Sequence, residues 1–163
     1  MHTPPARVRT GYSLGEAGKA EGLLLGSLAI APPVIAAIGV WLTPPGLAAL
    51  MVSAAAIWSG ALLAFLAGVR RGLTFSEAET PGPTEILSML WLFAVAVTSL
   101  LLSPDVWGLA AAILGFVSLA VLDWRAALNA EAPRYFAVFR PLQAMVAIGA
   151  LGVLIAWEAL GRT

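Results

Sequence analysis

The chain contains no cysteine and a single histidine, His2, beside its amino end. Disulfides, iron–sulfur clusters, thiolate chemistry and histidine-ligated haem all lack their ligands, and no spacing of Cys, His, Asp and Glu suggests a metal site. A Ser-His-Asp arrangement is excluded in the same way, because the one histidine is terminal. Charge is scarce too: 11% of the 163 residues are Asp, Glu, Lys or Arg, against about one quarter in a soluble domain. Nine basic and nine acidic side chains give a formal net charge of zero, so no global field favours nucleic acid and that class of partner is excluded. No cofactor or metal is expected.

What replaces charge is apolar length. The sequence is 60% hydrophobic with a mean hydropathy of +0.91, which predicts an integral membrane protein: an all-α bundle of five transmembrane helices in one domain. The expected spans are residues 22–42, 47–69, 86–102, 106–122 and 141–160. The second is the clearest, 23 residues without a charge from Leu47 to Val69, closed by Arg70 and Arg71. Every fourth residue from Ala56 is small, and Ala56, Gly60, Ala64, Gly68 and Gly72 read as a continuous ridge down one face of the helix. Lipid gives helices no hydrophobic reason to associate, so small faces and the close packing they permit hold a bundle together. The second span is therefore expected at the centre, in contact with more helices than any other.

The first span resembles a secretory signal ending at Ala29-Ile30-Ala31, but its apolar run continues to Leu42 and is too long for one. It carries Pro32 and Pro33 at its middle. Those two residues lack amide donors and leave the carbonyls of Leu28 and Ala29 without helical partners, so a kink or break is expected near the bilayer midplane. Such a break can build a substrate site, as in many transporters. Alternatively it is a structural kink whose carbonyls are met by a hydroxyl of Ser53 or Ser59.

Thr43-Pro44-Pro45-Gly46 and Ser103-Pro104-Asp105 read as tight turns, and residues 70–85 as a polar loop. The third and fourth spans are only 17 residues each, short enough to stand nearly upright. Residues 123–140 read as a polar connection ending in a short interfacial helix, 133–140, with rings at headgroup level. Five crossings put Arg7, Arg9, Lys19, Arg70, Arg71, Arg125, Arg134 and Arg140 on one side and Arg162 alone on the other. That bias predicts a cytoplasmic N-terminus and a C-terminus across the bacterial inner membrane. A re-entrant first segment would reduce the bias to five against four, so a crossing explains it better.

The middle of each span holds no ionisable residue, only Ser27, Ser53, Ser59, Ser88, Thr98, Ser99, Ser118 and Gln143, which argues against a proton-coupled pump. Charges gather at the inner boundary: Arg70, Arg71, Asp123, Arg125, Arg134 and Arg140. This cluster could receive anionic headgroups or a partner, or it could be a solvated anchor belt. Asp123 is expected to face Arg70 as an ion pair. Glu158 is expected at the surface.

The run Ala64-Phe65-Leu66-Ala67-Gly68-Val69-Arg70-Arg71-Gly72-Leu73, with Asp123 and Ala132-Pro133-Arg134-Tyr135 leading to Arg140, resembles an inner-membrane family of bacteria and mitochondria that includes transmembrane protein sixty-nine. The resemblance covers residues 29–153 and implies a five-helix inner-membrane protein, with no established reaction. Members usually carry an aromatic where Arg71 stands and often a glycine where Ala67 stands, so a site built on that aromatic would be altered here. The leading functional expectation is a non-enzymatic accessory or assembly component acting through helix packing, with membrane lipids and either a larger complex or a second copy as partners. A carrier or channel using the proline break is the first alternative. A lipid-modifying enzyme at the inner interface is the second.

Overall fold

A computed structural model describes residues 16–77, 83–128 and 136–161, and among these the chain is all-helical. Its elements are α1 (Glu16–Gly39), α2 (Pro45–Glu77), α3 (Pro83–Leu101), α4 (Val106–Leu128) and α5 (Phe136–Ala159). Four contain segments long and apolar enough to cross a membrane: Pro45–Val69, Pro83–Leu101, Val106–Arg125 and Pro141–Ala159. The apolar part of α1 is shorter, Leu24–Gly39. The chain is a multi-pass helical membrane bundle.

Local chemistry sets the helix ends. Pro45 and Pro83 open α2 and α3, where the missing amide would have had no helical acceptor. Asp105 precedes α4, and its carbonyl receives the amides of Gly108 and Leu109 at 2.8 and 3.3 Å. At the end of α1 the Thr43 hydroxyl donates to the Gly39 carbonyl at 2.9 Å. Gly161 follows α5 with φ of 65°, the left-handed conformation that closes a helix and that glycine adopts without a Cβ penalty.

Three boundaries differ from the sequence expectation. Residues 70–77 continue α2 as helix, where a loop was expected. The Arg-Arg-Gly-Leu-Thr-Phe-Ser-Glu run contains no proline, and loss of hydropathy does not by itself end a helix. For the same reason α4 passes Asp123 and runs through Trp-Arg-Ala-Ala to Leu128. Residues 136–140 form the start of α5, continuous with the span through Pro141. They are not a separate interfacial helix; residues 133–135 of that expected element lie outside the described residues.

The helices close into a ring in which each packs on its chain neighbours and α5 returns to α1. The α2 helix also leans inward to touch α4 and α5, and so contacts all four others, more than any other helix does. The core is rich in alanine, with Ala48, Ala56, Ala96, Ala112 and Ala147 fully enclosed between Leu63, Leu109, Leu151, Leu154 and Trp157. Small and large side chains alternate across these contacts, which lets backbones come close without voids.

Candidate functional site

The small residues of α2 do not lie on one face. A step of four residues turns an α-helix by about 40° beyond a full turn, so the row from Ala56 winds outward. Ala56 and Gly60 are buried, Ala64 is half-buried and Gly68 is exposed. A Cβ placed on Gly60 would stand 2.8 Å from Leu100 Cγ and 3.4 Å from the Ala96 carbonyl oxygen, whereas one on Gly68 would meet no atom within 4 Å. Gly72 lies a turn further along α2, past the apolar segment. The row therefore divides into an inner part that seats α3 and an outer part that the described residues leave open. A seven-residue step, which stays within about 20° of the same face, picks out what surrounds the outer part: Ala54, Ala61 and Gly68 are all exposed, flanked by Ile57 and Phe65. Helix α5 shows a second open set in Gly149 and Ala156.

The proline pair does not break α1, which is helical from Glu16 through Pro32 and Pro33 to Gly39. The carbonyl that Pro33 leaves without a donor, that of Ala29, accepts a hydrogen bond from Trp58 Nε1 of α2 at 2.7 Å. An indole N–H midway along a span and a helical carbonyl without its amide are both costly in lipid, and here each satisfies the other. Hydroxyls were the expected donors. Ser53 instead bonds its own helix at Ala49 O, 2.9 Å away, and Ser59 Oγ has no partner. Trp58 was not among the expected donors: its donor-only indole needs an acceptor at this depth, but the sequence does not show which carbonyl it meets.

Most other mid-span polar groups are engaged in backbone or interhelical bonds. Ser88 and Thr98 bond carbonyls of their own helix, at Glu85 and Ala94. Ser99 reaches the Gly108 carbonyl across the α3–α4 hairpin at 2.9 Å, and Trp91 Nε1 donates to Ser118 Oγ at 3.1 Å. Gln143 of α5 lies against Gly26 of α1, where an added Cβ would come within 2.7 Å of its Nε2. Ser59 is the buried exception: its residue is 0% exposed and its hydroxyl unbonded. A buried hydroxyl without a partner costs on the order of 1–3 kcal/mol. We expect Ser59→Ala to raise stability by about 1 kcal/mol, since the unfolded chain in lipid also finds partners for its polar groups. A denaturation titration in detergent reads this directly. A loss of stability would mean that the hydroxyl holds a polar guest.

The boundary positions that lie in described helices fall at one end of the bundle, opposite the Ser103–Asp105 turn. Arg70 and Arg71 lie on α2, Arg125 on α4 and Arg140 on α5, three helices that touch one another pairwise. Arg125 is exposed. Asp123 is half-buried and engaged by a neighbour, while Arg134 lies outside the described residues. Glu158, expected at the surface, is half-buried, and its Oε2 is enclosed without a hydrogen-bond donor. Helix α5 ends one residue later, at Ala159.

No family model matches this sequence, and no curated protein or solved structure is detectably similar to it. The resemblance carried by the Gly68–Gly72 region and by Asp123 to Arg140 gains no support from these comparisons.

Proposed function

We propose that this protein is a non-enzymatic membrane component that crosses the inner membrane five times and acts by binding another membrane protein, or a second copy of itself, through the open small-residue face of α2. The observation that carries the reading is Gly68, which with Ala54 and Ala61 presents a shallow surface that none of the described residues covers. Inside the bundle, sites of the same kind are filled: Leu100 sits against Gly60 and Leu63 against Gly115. Small faces are also where backbones approach closely enough for dispersion and Cα–H contacts to hold helices in lipid. The engagement of most mid-span hydroxyls within the fold leaves them to structural roles. The positive-inside bias supports an N-terminus in the cytoplasm and a C-terminus on the far side, with α1 as a crossing helix.

Native purification in mild detergent, with identification of co-purifying proteins and lipids, tests the proposal. A stoichiometric membrane protein or a discrete self-assembly is the expected result. A monomer carrying only lipid contradicts it.

A further inference from the structure

Helix α1 is unevenly held. From Leu24 to Ala29 no residue is buried, whereas Ile30, Pro33, Ala36, Ala37 and Val40 all are. The change falls where Pro32 and Pro33 remove two consecutive helical amide donors, so backbone hydrogen bonding between the two halves is weakest there. Across that point the Ala29 carbonyl is held by Trp58 of α2 at 2.7 Å. Further along the loosely packed half, Gly26 rests on Gln143 of α5.

We infer that Pro32–Pro33 is a hinge and the Trp58–Ala29 bond its latch, so that the half of α1 preceding Ile30 can swing away from α2 and α5 while the half following it stays packed. The indole suits this role. It is 45% exposed and can turn toward lipid, and its donor is lost from Ala29 as soon as it does. Release also opens the α1–α5 seam at Gly26 and uncovers the Gln143 amide. Trp91 makes a comparable indole bond to Ser118, but between helices with no internal proline, and so serves as a matched control.

The test is hydrogen exchange of the intact protein in detergent, read on peptides covering residues 22–31. Trp58→Phe keeps the ring and removes the donor. Loss of one hydrogen bond near 1.4 kcal/mol corresponds to about tenfold faster exchange there, with α3 and α4 unchanged. Trp91→Phe should leave residues 22–31 unaffected. In a Pro33→Ala background the restored amide can bond Ala29 O itself, so Trp58→Phe should then accelerate exchange less than about twofold. The inference is overturned if Trp58→Phe leaves exchange at 22–31 unchanged, if it speeds all five helices alike, or if its effect persists undiminished with Pro33→Ala.

Discussion

Replacing Gly108 by alanine is expected to destabilise the bundle by about 3 kcal/mol, the upper part of the usual overpacking range. Gly108 opens the buried face of α4 directly beneath the hairpin turn, and a Cβ there would stand 2.9 Å from the carbonyl carbon and oxygen of Leu102 and from the Ser103 nitrogen. Those are backbone atoms of a tight connection, so the strain cannot be relieved by one side chain changing rotamer. The Gly108 carbonyl also receives the buried Ser99 hydroxyl at 2.9 Å, and a shift of α4 would weaken that bond as well. The Gly39 contact differs in kind, since it is with the flexible end of Met51. Gly39→Ala should therefore cost well under half as much. Detergent denaturation of the two variants side by side checks both values, and equal losses would refute the backbone-contact explanation.

Gly60→Leu and Gly68→Leu should separate folding from assembly. At Gly60 a leucine must displace Leu100 and approach the Ala96 carbonyl of α3, a contact between two neighbouring helices of the ring. A loss of about 3 kcal/mol or more is expected. At Gly68 the same leucine enters open space, so the isolated bundle should melt within about 0.5 kcal/mol of wild type, as for a surface substitution. If the outer face is an interface, however, Gly68→Leu should reduce partner recovery or self-association by tenfold or more. Two variants that melt alike would show that the division between inner and outer faces is wrong. A Gly68→Leu protein that keeps both its stability and its partner would leave the outer face without a role.

Much of the architecture was legible because hydropathy in a membrane protein reports depth directly: the cores of α2, α3, α4 and α5 fall where long uncharged runs occur. The central place of α2 followed from its small residues, since only a helix with little side-chain bulk can touch four others. Helix ends were less legible. Arg70 and Asp123 mark where the apolar environment stops, yet the backbone of α2 and α4 continues for further turns because hydrogen bonding within a helix does not depend on lipid. The Ala56-to-Gly72 row was read as one face because four is close to 3.6, but the residual rotation accumulates, and by Gly68 it has carried the row from the core to the exterior. Trp58 was missed for another reason. Which neighbour meets a carbonyl freed by proline depends on the rotation of two helices about their axes, and no pattern within either helix encodes it.

Contacts made by the outer face in the native membrane test the central claim most directly. Phe65 flanks Gly68 and is 65% exposed, and Phe93 on α3 is 51% exposed with no open glycine beside it. A photoreactive phenylalanine analogue placed at each position, then illuminated in intact cells, compares the two faces under identical chemistry. A discrete protein adduct is expected from Phe65, lost when Gly68→Leu is added, and chiefly lipid adducts from Phe93. Lipid adducts alone from both positions would contradict the claim.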